Sequence, residues 1–389
     1  MRKVFTATLL LAVLALILAC FVSRRKTVGG DDSQKIQYED LVGRKMRIAK
    51  DVRRIVLLRS KDIYLLAALL GDELPNRLVA WGPDLKVDDA EVYKRLLERF
   101  PHLGEITVTG DVYSDGLDVE QLVRIGADLI IGDKYMIDRG YKYTEKLDST
   151  GLPVVYLDGS NDPLTGAQNG IRLLGKILNR RDRAQAISKY LDDQIGLVVS
   201  RIESNAPPPP SVYIEAGDRG PAEYSQTYGH FGASPQQTSW GAILKTLKVR
   251  NIADGRVVGM APINPEALLK ADPDIIVLTG QNWSQFKNSG GMQLGFNVNI
   301  DDARHLLHAF TGRPGWNLLS AVKNRRVYSV FHSTVSPTVF SGVQALAKYC
   351  YPDLFRDVDP ERNLKEFYDR FMPIAYEGTW MCSLDPQVP

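Results

Sequence analysis

Short apolar runs bounded by polar or Gly-bearing loops recur along the chain, at residues 54–58, 78–80, 154–157, 212–214 and 326–330. Their apolar character is continuous rather than alternating, as in strands buried on both faces, so they predict a mostly parallel sheet covered by helices. Two longer units repeat one design. Asp118-Val-Glu-Gln-Leu-Val-Arg-Ile-Gly-Ala-Asp-Leu-Ile-Ile and Asn264-Pro-Glu-Ala-Leu-Leu-Lys-Ala-Asp-Pro-Asp-Ile-Ile-Val align without a gap. Each opens on a residue able to cap first-turn N–H groups, runs as a short amphipathic helix and turns at Asp128 or Asp274 into an apolar, β-branched run. Helix, tight turn and buried strand form the repeating piece of a parallel α/β sheet. Recurring this far apart, they predict two similar lobes rather than a solenoid.

Between the lobes, residues 182–204 contain no proline, and Ile187, Tyr190, Leu191, Ile195, Val198 and Ile202 fall on a helical stripe. Such a helix would span roughly 35 Å, the width of a domain. Pro207, Pro208, Pro209 and Pro210 then stop it and impose an extended strut. The expected class is α/β: two Rossmann-like lobes with mostly parallel sheets, joined by one long backbone helix, with a ligand cleft between them. The expected divisions are a signal segment at 1–20, a tether at 21–42, a first lobe at 43–181, a linking helix at 182–205 and a second lobe at 206–389.

The start of the chain reads as an address. Arg2 and Lys3 precede an apolar run from residue 4 to 22, the physical form of an export signal. Within it, Ile17-Leu18-Ala19-Cys20 resembles the lipobox of bacterial lipoproteins, which implies cleavage and a diacylated Cys20; Leu18 departs from the usual small residue. An uncleaved anchor helix of about 20 residues and plain soluble export remain alternatives. All three place the rest of the chain outside the cytoplasm, in the periplasm or at the cell surface.

Composition adds mostly exclusions. A chain of 389 residues with 48 Lys and Arg against 46 Asp and Glu has no charge excess suited to nucleic acid. Cys20, Cys350 and Cys382 are its only cysteines and form no CxxC pair, which excludes a Cys-rich metal site. Cys350 and Cys382 could form a disulfide or stay buried thiols. No GxSxG, HExxH or Walker loop occurs, nor a GxGxxG after a strand, so no enzyme and no cofactor is expected.

The order and spacing of several segments resemble the periplasmic binding proteins of the iron-chelate and cobalamin uptake class, from about Gly43 to Tyr376. The segments are Gly43-Arg44 with Arg53-Arg54-Ile-Val-Leu, the unit from Glu120 to Ile131, Pro265-Glu266 with Asp272-Pro-Asp-Ile-Ile-Val, and Arg313-Pro-Gly-Trp-Asn with Ala321-Val-Lys-Asn-Arg-Arg-Val-Tyr. The resemblance implies a monomeric protein that captures a small-molecule metal chelate and delivers it to an ABC permease. In such proteins a rim Glu of each lobe meets arginines of the permease, and the matching positions are Glu120 and Glu266. Otherwise, both are first-turn acids favoured by the helix dipole.

Ligands of open α/β sheets bind beyond the carboxyl ends of the strands. The corresponding loops hold Arg59-Ser60-Lys61-Asp62, Trp81-Gly82-Pro83 and Asp133-Lys134-Tyr135 in the first lobe. In the second they are residues 215–230, Gln281-Asn282-Trp283 and His332-Ser333-Thr334. From them Arg59, Ser60, Trp81, Lys134, Tyr135, Tyr228, His230, Trp283 and His332 are the expected ligand contacts. Arg59 and Lys134 would neutralise an anionic chelate, and Trp81, Tyr135, Tyr228, Phe231 and Trp283 would offer ring faces. No residue is expected to hold a bare metal; His230 and His332 could complete a chelate's coordination. The favoured ligand is an iron chelate of siderophore type. Cobalamin or haem, bare zinc or manganese (with His305 and His308 at i, i+3), and a ligand-sensing lipoprotein without transport are the alternatives.

Overall fold

The computed structural model describes residues 35–114, 116–159, 162–229, 239–283 and 290–385. It opens with an antiparallel hairpin of β1 (Lys35–Glu39) and β2 (Lys45–Ala49). Gly43 turns it at φ 80°, and the Asp40 carboxylate accepts the N–H groups of Val42, Arg44 and, in the neighbouring lobe, Tyr156. This corrects the expectation of a tether reaching residue 42, because residues 35–42 are fastened to the first lobe. The cause of the miss is exposure: β1 is solvated along nearly its whole length, so no apolar period marks it.

Five parallel strands follow: β3 (Ile55–Leu57), β4 (Leu78–Trp81), β5 (Thr107–Val108), β6 (Leu129–Asp133) and β7 (Val154–Leu157), in the order β5-β4-β3-β6-β7. Strands β3, β6 and β7 are wholly buried, as their apolar runs require. The chain winds outward from β3 in one direction and then restarts at β6 in the other. Loops leaving the carboxyl ends of β3 and β6 therefore diverge and open a crevice.

The second lobe is a seven-stranded mixed sheet of β8 (Ser211–Ala216), β9 (Gln226–Tyr228), β10 (Arg250–Asn251), β11 (Met260–Pro262), β12 (Ile275–Gly280), β13 (Val327–Phe331) and β14 (Met381–Ser383). Its core β8-β12-β13 is parallel, with β10 also parallel to β8, while β9, β11 and β14 extend it antiparallel.

The repeated units take equivalent places. Asp118 and Asn264 cap their helices by accepting the N–H groups of Gln121 and Ala267 at 3.0 and 3.1 Å. Gly126 and Asp272 end those helices in the left-handed conformation. Asp128 then accepts the N–H groups of Arg53 and Arg54, both at 2.9 Å, and Asp274 accepts the N–H and hydroxyl of Ser211, both at 2.7 Å. Each aspartate thus pins the start of the strand at the centre of its lobe, β3 or β8.

A helix of 25 residues, Arg181–Asn205, joins the lobes and buries the expected stripe. Tyr190 on that stripe meets the rings of Phe340, Phe367 and Phe371 within about 6 Å. Near its start Arg183 donates to Ala68 of the first lobe at 2.6 Å and to Phe371 of the second at 2.8 Å. A second tie lies across the lobes: Arg95 pairs with Glu377 and donates to Asn297 Oδ1 at 2.7 Å, and Asn297 in turn donates to Glu91. Two separate ties thus bridge the lobes. No helix among the described residues is long and apolar enough to cross a membrane.

Candidate functional site

Strand β3 runs into a single tight turn, Ser60–Asp62, that leads straight into the buried helix Ile63–Leu70. Arg59 at the head of this turn is itself buried. Its Nε and Nη2 donate to the two Asp62 carboxylate oxygens at 3.1 and 2.7 Å, and Nη2 reaches Asp133, at the end of β6, at 2.8 Å. One guanidinium thereby bridges the switch point. Next along the turn, the Lys61 ammonium pairs with Asp88 and lies 5.6 Å from the centre of the Tyr113 ring.

Between the lobes is a cavity of about 310 Å³. Arg59, Lys61, Tyr113 and Tyr135 form its first-lobe wall. Gln226, Tyr228 and Met260, from the antiparallel strands, form part of the other, with Ser239, Gln281 and the turn His332–Val335. The Tyr113 and Tyr135 rings meet edge to face at 5.9 Å. Burial pushes the Tyr228 hydroxyl up, so it stays protonated at neutral pH. His332 is the opposite case. Burial, and then the Lys61 charge across the cleft, hold its imidazole down at about 3, so it is neutral. Its Nδ1 lies 2.8 Å from Thr279 Oγ1, and the Trp283 ring stands 5.0 Å away, edge to face.

Of the expected contacts, Arg59, Tyr135, Tyr228 and His332 meet at this cavity. Ser60 and Trp81 do not. The Ser60 hydroxyl donates to Asp84 at 2.7 Å and accepts Leu85 N–H at 2.7 Å, which binds it to the loop interior. Trp81 packs into the core with its ring 5.5 Å from Tyr93, on the helix Ala90–Arg99. Lys134 lies outside the lining, 3.9 Å from Asp158 and 4.0 Å from Asp138. Trp283 is not in the lining and meets His332 edge to face. His230, Phe231 and Cys20 fall outside the described residues.

Other lining residues were not singled out. Lys61, Gln281, Ser333 and Thr334 lie in loops that were expected at the cleft. Tyr113 and Met260 carried no signal, since one follows the two-residue β5 and the other lies in the short edge strand β11. Cys350 and Cys382 are free, buried thiols that burial pushes up to about 12. His305 and His308 are exposed, and no metal-holding cluster of His, Cys, Asp or Glu occurs among the described residues.

Behind the second-lobe wall is an ion pair of another kind. Glu215 in β8 receives both Arg313 nitrogens, Nη1 at 2.8 Å and Nη2 at 3.0 Å, and both side chains are fully buried. The same guanidinium donates to the carbonyls of Gly220, Pro221 and Glu223. It therefore fixes the loop that leads from β8 to the cavity residues Gln226 and Tyr228.

A buried acid beside the site titrates near neutrality. Asp89 is 1% exposed, and burial raises its carboxyl to about 7 against the opposing pull of the Tyr64 hydroxyl at 2.8 Å. The unfolded chain releases this proton near pH 4, so between about pH 4 and 7 the folded state holds more protons than the unfolded one. Stability from this group is thus complete below pH 4 and declines as pH rises toward 7, by at most about 1.4 kcal/mol per pH unit. Urea midpoints measured from pH 4.5 to 8 should show a shallower decline in Asp89→Asn than in the wild type. Equal slopes would contradict the assignment.

The model of the family described as periplasmic binding protein matches residues 65–331. A TroA-like periplasmic binding protein, FepB, from Veillonella parvula superposes with a TM-score of 0.80 at 32% identity, covering 90% of this chain and 100% of its own. The uncharacterized ABC transporter substrate-binding lipoprotein YvrC of Bacillus subtilis is 21% identical, over 83% of this chain and 87% of its own. The molybdate-binding protein MolA of Haemophilus influenzae is 20% identical, over 87% and 91%. Its molybdate-bound structure shares the fold at a TM-score of 0.64.

Proposed function

Because this chain belongs to the periplasmic binding protein family, we propose that it captures a metal chelate, an iron chelate in the first place, and delivers it to an ABC permease. The observation that carries this reading is the cavity between the lobes: about 310 Å³, walled by tyrosine rings, neutral polar groups and the cations Arg59 and Lys61. A space of that size matches a small molecule rather than a bare ion, since pockets for such ligands begin at roughly 300 Å³ and one water takes roughly 30 Å³. MolA's molybdate argues for no particular ligand here, because a likeness at this level extends to the fold alone.

Export with a lipid on Cys20 fits delivery to a membrane partner, and the first-turn acids Glu120 and Glu266 are the proposed docking points. The test is a thermal and fluorescence titration of the purified full-length chain with ferric chelates, free zinc and molybdate. A ferric chelate at a hundred times its Kd should stabilise the protein by about 2.7 kcal/mol and quench tryptophan saturably. Stabilisation by free zinc or molybdate alone would rule the proposal out.

A further inference from the structure

The cleft's cations are already engaged before any ligand arrives. Arg59 is engaged by Asp62 and Asp133. Lys61 is paired with Asp88, while Asp84 accepts the N–H groups of Ser60 and Lys61 at 2.8 and 3.1 Å. Two cations of the first-lobe wall are thus backed by four carboxylates, none of which lines the cavity itself. On the opposite wall the described lining residues carry no formal charge: Gln226, Gln281, Ser239, Ser333, Thr334 and a neutral His332. Arg139 rests on the Tyr135 ring but is exposed, where water and salt screen it.

A polyanion entering here would meet Arg59 and Lys61, whose charges the aspartates behind them already engage, and it would lose its own hydration in doing so. Neutral amides, hydroxyls and tyrosine rings suit a ligand whose outer surface offers uncharged hydrogen-bonding edges and apolar faces. Resting on the chelate reading above, we infer that the ligand is a chelate of zero or positive net charge, with amide-like polar groups on its periphery, rather than a polyanionic complex. On this inference Arg59 would not serve to neutralise an anionic chelate, and Lys134 lies outside the lining.

The test compares three ferric complexes of similar size on the full-length protein: a neutral trihydroxamate, a trihydroxamate bearing one free ammonium, and a tricatecholate with three negative charges. The first two should bind at least about 100-fold more tightly than the third at low ionic strength, with the gap narrowing as salt is added. Asp88→Asn, which unmasks Lys61, should shrink that preference by about 10-fold; thermal unfolding checks that the variant is folded. Equal or tighter binding of the tricatecholate overturns the charge inference and leaves the binding-protein reading intact. Failure of all three to bind removes the chelate reading, and this inference with it.

Discussion

Replacing Arg313 by methionine is expected to destabilise the chain by about 3–5 kcal/mol, the usual cost of stranding one member of a buried ion pair. Glu215, which is fully buried, would lose both guanidinium nitrogens. The carbonyls of Gly220, Pro221 and Glu223 would each lose a donor. The rings of Tyr224, Phe310 and Trp316, now 4.4 to 4.9 Å from the guanidinium carbon, would close on a smaller, uncharged group. Folded domains have only about 5–15 kcal/mol in total, so the loss should lower Tm by on the order of 10 °C. Adding Glu215→Gln should recover part of it, because the stranded charge is the larger share of the penalty. Ligand affinity should fall as well, since the freed loop carries the chain to Gln226 and Tyr228. A Tm within about 2 °C of wild type would show that this pair does not hold the loop.

Arg313 also marks the limit of what local sequence pattern specifies. The segment Arg313-Pro-Gly-Trp-Asn is recognisable as a family feature, yet nothing near it names Glu215 as its partner, nearly a hundred positions earlier. Strands such as β3 and β12 are legible because burial on both faces demands unbroken apolar runs. The linking helix is legible because its buried stripe repeats with helical period. Hairpin β1–β2 and the antiparallel strands β9, β11 and β14 are not: they are short, or too exposed for either period to develop.

For the site, the position of loops beyond strand ends follows from topology alone. The direction of each side chain does not. Ser60 and Arg59 are neighbours on one turn, but Asp84 draws the first inward while Asp133 sets the second at the cavity wall. Trp81 ends a strand just as the site rule asks, and the helix carrying Tyr93 covers it. Such choices are made by partners from distant segments, so local pattern cannot anticipate them.

Reversing the charge of both Glu120 and Glu266 to lysine is expected to abolish ligand uptake while changing ligand affinity by less than about 2-fold, because neither lines the cavity. Each lies in the first turn of a helix that runs back into a parallel strand, β6 or β12. Such a helix starts at the carboxyl edge of its sheet, the edge that faces the cleft. Both acids are exposed: Glu120 meets Lys146 at 2.5 Å, and Glu266 forms no ion pair with any described residue. Exposed pairs of that kind contribute about 0–1 kcal/mol, so Glu120 can exchange Lys146 for a stronger partner at little cost. Opposite an arginine of a permease, a lysine would turn attraction into repulsion, and losing two such contacts should weaken docking by several kcal/mol. If instead the acids only favour their helix dipoles, each reversal should cost about 0.3–1 kcal/mol of stability and leave transport untouched. Uptake assays beside Tm and Kd separate these outcomes: transport lost with Tm and Kd preserved supports docking, whereas transport preserved in the double variant refutes it.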